Sequence, residues 1–509
     1  MRLFPMNLGQ TRTRLVTAGA ALTAVALIAG CGSTYRSVVT PIQQSGPTPQ
    51  PSSFVAVVSA SSTSAPGIAT LVDYSGDTIM AQAPIGPGPL LFALDGTGTT
   101  GYTVNSDSTL TNFPVNSSSL QAKNVTYSTL AGSANPIGLF APVAGLWAAD
   151  LAGSDVDVFT SSPATLKLTI PVAPVPVMVI GATSIGERNY AISQVIDSNG
   201  TDCNTAPAAV AQNGLVTPIE ISQNTADTAI AVGKCPVYAL PSSDGRRLFV
   251  LNRGSDTVSV INIQTNTLDS CTPFANQSGQ TVNCHPLLPL STAAVTATGI
   301  APPNGTTGMT SVAGPVYAEY NTATSQLVVA NYDGSTISII DVSLDEYGND
   351  SATFGTTYTV KVGNNPAAVT VLYDGSRAYT ANQTDGTVTV VNLSSRTVEK
   401  GGASALPVMG HPRSISSTQN SEYGKVYVSS PDSNFLTILT TTTDLVDTTI
   451  PVEGNIVDMH TTTQNGSSGN AGNVSRKPGY GLPCYLPDTA TTKYSASLAT
   501  CQAMPVPAS

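Results

Sequence analysis

The sequence predicts an all-β fold, a β-propeller of four-stranded antiparallel blades closed into a ring, and three observations carry that expectation. Short alternating or β-branched runs recur along the chain, each bounded by a tight-turn signal. Only 10% of residues are charged, so the straight-chain residues that favour helices are scarce while Thr, Ser, Val and Gly abound. The chain also opens on three strands of one unit and supplies the missing fourth near residue 455, which is how a ring removes its free edges.

The clearest unit spans 363–408. Residues 367–372 form one strand, and Tyr373-Asp374-Gly375-Ser376 turns the chain into 377–382. Thr384-Asp385-Gly386 turns it again into 387–393, and a fourth strand starts at Thr397. Asp-Gly supplies the positive φ that a tight hairpin needs. One such sheet cannot cover both its faces, so copies must stack against one another.

Taken in order, residues 1–30 stand outside the fold. Arg2, Arg12 and Arg14 form a basic start, and the apolar run from Leu15 to Ala29 is too short to span a bilayer comfortably. It ends in Ile28-Ala29-Gly30-Cys31, which resembles a bacterial lipobox. The resemblance implies cleavage before Cys31 and acylation there, with a membrane anchor as the result. Each buried CH₂ of the acyl chains would contribute about 0.8 kcal/mol. Gly32 follows, where Asp would signal retention at the inner membrane, so the outer membrane or cell surface is the expected location. A plain secretory peptide is the alternative. The mature chain keeps 17 basic against 31 acidic residues, a balance that repels phosphate backbones and argues against nucleic-acid binding.

A Pro-, Ser- and Thr-rich stretch, 31–53, reads as a solvated tether. The propeller follows over 54–463, and 464–509 is a tail that has lost the repeat. First strands are expected near Pro89, Pro136, Pro176, Pro236, Pro315, Pro366, Pro412 and Asn455, which counts to eight blades. Seven is the alternative, because the Pro176 copy diverges and carries an insertion. Six cysteines remain after Cys31, an even number suited to an oxidising compartment. Sequence neighbours suggest Cys203–Cys235, Cys271–Cys284 and Cys484–Cys501, the last closing a flap that lies on the ring.

Phe249-Val250-Leu251-Asn252 with Val260-Ile261-Asn262, Val328-Val329-Ala330-Asn331 with Ile339-Ile340-Asp341, and Tyr379-Thr380-Ala381-Asn382 with Val390-Val391-Asn392 resemble the YVTN family of propeller repeats. The match is strong from about 234 to 452 and weak before 174. It implies the fold and no particular function. The Asn ending each second strand is expected to hydrogen-bond across the following turn.

Residue patterns exclude several chemistries. Gly96-Thr97-Gly98-Thr99-Thr100-Gly101 precedes a strand, so it reads as a hairpin turn and not as a dinucleotide loop. His285, His411 and His460 are the only histidines, too few for a His-rich metal centre, and no cofactor is expected. Asp345 to Asp350 reads as an acidic surface loop, and Asp155 and Asp157 as solvent-facing. Gly410-His411-Pro412-Arg413-Ser414 is similar to a segment of lactonase relatives of this fold, with Ser414 where those proteins carry His. That resemblance implies Arg413 in the channel mouth. Glu319, on a first strand, is a partner there, and His411 is a weaker candidate. An interblade salt bridge is the other reading of Arg413 and Glu319. The expected function is a lipid-anchored binding scaffold of the cell envelope, with a protein or glycan partner. A lactonase-like hydrolase and a structural surface-layer-type protein are the alternatives.

Overall fold

The computed structural model describes residues 53–462, apart from 132–133, 183–187, 196–202, 204–206, 277 and 291–312. It also describes short strands at Val474–Arg476, Cys484–Leu486 and Lys493–Ser495. Cys31, the tether up to residue 52 and Cys501, and with it the expected pairing to Cys484, lie outside the described residues.

Eight antiparallel sheets form the blades of a propeller. Their inner strands are Pro89–Leu94, Pro136–Phe140, Pro176–Ala182, Pro236–Pro241, Pro315–Asn321, Pro366–Val371, Ser414–Ser417 and Asn455–Thr461. Each packs against the next, and the last packs against the first. We number the blades from the amino-terminal one, so that Pro89 opens the second and Ser414 the eighth. All eight expected starts are found, the eighth blade beginning two residues beyond Pro412.

A local rule builds each start. The residue before the Pro is left-handed at Gly88 (φ 49°), Val175 (60°), Cys235 (50°), Gly314 (63°) and Asn365 (54°). Pro then begins the strand, and the pairing register shifts immediately after it in blades two to seven. Pro has no N–H to extend the ladder, so a bulge at this point costs no hydrogen bond. On the second strands, the Asn residues reach across the hairpin to hydroxyls of the third strand. Asn331 Nδ2 donates to Thr336 Oγ1 (3.0 Å) and Ser338 Oγ (2.9 Å), and Asn382 Nδ2 to Thr389 Oγ1 (2.8 Å). Asn105, outside the region of strong repeat similarity, does the same with Thr109 and Thr111.

The first blade joins the two ends of the ring. Its strand Phe54–Ala60 pairs on one side with Pro66–Asp73 and on the other with Asn455–Thr461. Phe54 N donates to Thr462 Oγ1 (2.8 Å), and Thr462 N to Phe54 O (2.9 Å). An apolar cluster of Val55, Val57 and Val72 with Tyr427, Leu436 and Ile438 fills the seam between the first and eighth blades. Basic residues that open second strands bind acids of the following blade: Arg247 to Asp350 (3.0 Å), Arg377 to Asp444 (2.6 Å), and Lys425 to Asp77 across the seam.

Two of the expected disulfides are present. Cys203–Cys235 ties the fourth-blade insertion to the start of the fifth blade. Cys271–Cys284 closes an excursion that interrupts the fifth blade's outer strand, whose two pieces, Thr267–Leu268 and Leu287–Pro289, pair with the same neighbour.

Candidate functional site

Inner strands of a propeller line its central channel, so their side chains are the first place to look for a site. A cavity of about 100 Å³ lies there, lined by Tyr238, Tyr317, Glu319, Arg413, Asp458 and His460 among others. Strand Val474–Arg476, from the tail, pairs antiparallel with the third blade's inner strand, Ser475 opposite Leu139 and Arg476 opposite Gly138. Val474 and Ser475 are buried, and Ser475 Oγ accepts a hydrogen bond from Phe92 N (3.1 Å) in the second blade. Arg476 reaches across the channel to the carbonyls of Val237 in the fifth blade and Val316 in the sixth (3.1 Å), and its guanidinium stacks 4.3 Å from the Tyr238 ring. Tyr238 stacks in turn on Tyr317, centroids 4.9 Å apart. One residue of the tail thus bridges two blades.

The cavity's charges are held separately. Glu319 is 3% exposed, and its carboxyl accepts from Val371 N (2.8 Å) and, more weakly, Thr370 Oγ1 (3.4 Å). Burial pushes its pKa up to about 8 against those two hydrogen bonds. Arg413 donates to Val457 O. Burial lowers the Arg413 pKa, and the nearby charges of Asp458 and Asp432 oppose that shift. Asp458 Oδ1 accepts from Ser414 Oγ (2.6 Å) and Met459 N (2.9 Å), while Oδ2 lies 3.5 Å from His460 Nε2. Burial alone would raise the Asp458 pKa, but His460, Ser414 and Arg413 outweigh it and hold the carboxyl below its usual range.

Arg413, just before the eighth blade's inner strand, and Glu319, on the sixth's, therefore line one cavity, yet no ion pair joins them among the described residues. His411 is not a lining residue. Its Nδ1 lies 2.5 Å from Asp432 Oδ2 and its backbone N–H also binds that side chain, so it fastens the turn before the eighth blade. His460 lines the cavity in its place, with Nε2 3.1 Å from Phe92 O. Asp458 and Arg476 carry much of the site's charge and were not anticipated. Asp458 sits on the lone closing strand and could have been found from inner-strand position alone. Arg476 lies beyond the repeat, where no periodicity points inward.

Two acidic groups differ from their sequence reading. Asp350 is buried and is shared by Arg247 and His285 Nδ1 (2.8 Å), so the 345–350 loop is anchored to the fifth blade. Together with the Cys271–Cys284 excursion it walls a cleft of about 620 Å³, flanked by exposed Phe274 and Tyr347. Asp157 is buried, not solvent-facing. It accepts from Thr169 Oγ1 (2.7 Å) and stands with Asp150 and Asp155, one oxygen of each lying within 4.8 Å of the others. Burial and then its acidic neighbours push Asp155 up to about 6.

Comparison with solved structures agrees with the fold. The chain is similar to AztD of Citrobacter koseri, with a TM-score of 0.52 and 10% identity over 80% of this chain and 97% of that one. It is also similar to the dihydro-heme d1 dehydrogenase NirN, with a TM-score of 0.53 and 13% identity over 83% of this chain and 78% of that one. A putative 6-phosphogluconolactonase from Bacteroides fragilis aligns with a TM-score of 0.47 and 15% identity, over 82% and 99%. At these identities the likeness concerns the propeller fold alone. No family model matches the sequence, and no curated protein matches it.

Proposed function

We propose that the protein is a binding scaffold of the cell envelope, a YVTN-like propeller exported and lipid-anchored at Cys31, that docks a protein or glycan partner on its rim loops. The observation that carries this reading is the tail strand inside the ring. It leaves a cavity of about 100 Å³, below the roughly 300–1,000 Å³ of ordinary small-molecule sites. A lactonase would need a base beside a cation that holds the oxyanion. Glu319 instead binds a backbone amide and keeps its proton near neutrality, and its nearest role is structural. The disulfide-braced cleft on the outer face offers more room and exposed aromatic rings.

The test is capture from a detergent extract of envelope with the lipidated full chain, alongside a lactone-hydrolysis assay. A specifically enriched protein or glycan and no hydrolysis above background are expected. Recovery of nothing beyond a bare-bead control sinks the scaffold reading, and ordered self-assembly of the purified chain would favour the surface-layer class instead. Cys31→Ser is expected to move the protein from the membrane to the soluble fraction.

A further inference from the structure

We propose that the channel cavity is a binding site for one small oxyanion, a carboxylate or a phosphate, held between Arg413 of the eighth blade and Arg476 of the tail strand. Both guanidiniums line the same cavity. Among the described residues both donate hydrogen bonds to backbone carbonyls, Arg413 to that of Val457 and Arg476 to those of Val237 and Val316, and Arg476 also stacks on the Tyr238 ring. Neither has a carboxylate within 4.0 Å among the described residues. Each residue is part-exposed, and a guanidinium that faces a cavity with no contacting anion is stabilised when one is supplied.

The acids nearby are already engaged. Asp458 serves Ser414, Met459 N and His460, and Asp432 serves His411. Glu319 binds Val371 N and is held protonated by burial up to about pH 8. Burial lowers the Arg476 pKa to about 10, still well above neutral, so the residue remains charged. Two guanidiniums against one ionised carboxylate, that of Asp458, leave the lining positive. Arginine N–H groups favour oxygen anions of planar or tetrahedral shape, which two guanidiniums can share. At roughly 10–15 Å³ per water-sized probe, the cavity of about 100 Å³ has room for an acetate or a phosphate with a few waters.

The second cation comes from the tail, so anion binding and docking of the tail strand stabilise one another. This inference stands apart from the docking of a partner on the rim: either can fail without the other.

Titration calorimetry of the full chain with sodium acetate and with inorganic phosphate tests it, with chloride at matched ionic strength as reference. One saturable site for either oxyanion, absent with chloride, is expected, and which one binds distinguishes carboxylate from phosphate. Arg413→Met and Arg476→Met should each weaken binding at least about tenfold, the loss of a charge-assisted hydrogen bond, while Lys123→Gln, exposed on the second blade, should not. Because Arg476→Met can undock the strand, Arg413→Met is the deciding variant: wild-type affinity in it overturns the site. Heats from both oxyanions no different from chloride overturn it as well.

Discussion

Glu319 shows how a single buried group makes stability depend on pH. Its carboxyl keeps its proton up to about pH 8 in the folded chain, against an ordinary value of 4.5. Between those limits the folded state binds more protons than the unfolded state, so stability falls as pH rises through the interval. Each unit of difference corresponds to about 1.4 kcal/mol. Glu319→Gln removes the titration while keeping the shape, so the wild type should lose a few kcal/mol relative to the variant between about pH 5 and pH 8. Urea unfolding at several pH values reads this directly, and parallel profiles would refute it. Arg247 makes a complementary case. It is the cation between buried Asp269 and Asp350, and Arg247→Met leaves Asp269 without its ion pair and Asp350 with His285 alone, at an expected cost of about 3–5 kcal/mol. At this scale the sequence was partly legible. Glu319 could be assigned to the channel from its place on a first strand, and Arg413 from the likeness of its segment to that of the lactonase relatives. Which oxygen each would bind was not legible, since that depends on backbone groups of other blades, such as Val371 N and Val457 O.

At the scale of the element, the legible features were those set by backbone chemistry. Pro at strand starts locates the inner strands of blades two to seven, including the divergent fourth, and the eighth begins two residues beyond its Pro. The tail strand was not legible, because Val474, Ser475 and Arg476 follow no repeat and three residues are too few for a period to show. Their strand forms because the third blade's inner strand offers an unpaired edge to the channel, a tertiary opportunity and not a local preference. The insertion between the fourth blade's second and third strands has its own fastening. Cys203 and Cys235 are buried with Val210 in a small cluster, closing a separation of 32 residues. Cys203→Ser with Cys235→Ser should cost about 2–4 kcal/mol by enlarging the unfolded ensemble. Denaturant midpoints of the double variant and the wild type measure it, and a cost under about 1 kcal/mol would mean that native packing already fixes the loop.

The whole molecule depends on one non-local pairing, and two truncations separate its parts. A chain ending after Thr462 keeps the Asn455–Thr461 strand and its seam with Phe54–Ala60, but loses the strand in the channel. It should fold with all eight blades, because no blade lacks one of its four strands, and it should lose the oxyanion site with Arg476. A chain ending after Glu453 removes the inner strand of the first blade. Phe54–Ala60, every residue of it buried in the ring, then becomes an edge of exposed N–H and C=O groups on an apolar strand. Such an edge pairs with other chains, and the seam cluster of Val55, Val57, Tyr427 and Ile438 opens with it. Size-exclusion chromatography and thermal unfolding distinguish the two. The longer truncation product should elute as the parent does and unfold cooperatively; the shorter should aggregate or unfold at a far lower temperature. Equal behaviour of both would mean that blade-to-blade packing alone holds the ring, as in an open solenoid where each repeat needs only its neighbours. The ion pair of Lys425 with Asp77 and the apolar seam between the first and eighth blades argue otherwise, since both contacts form only in a closed ring.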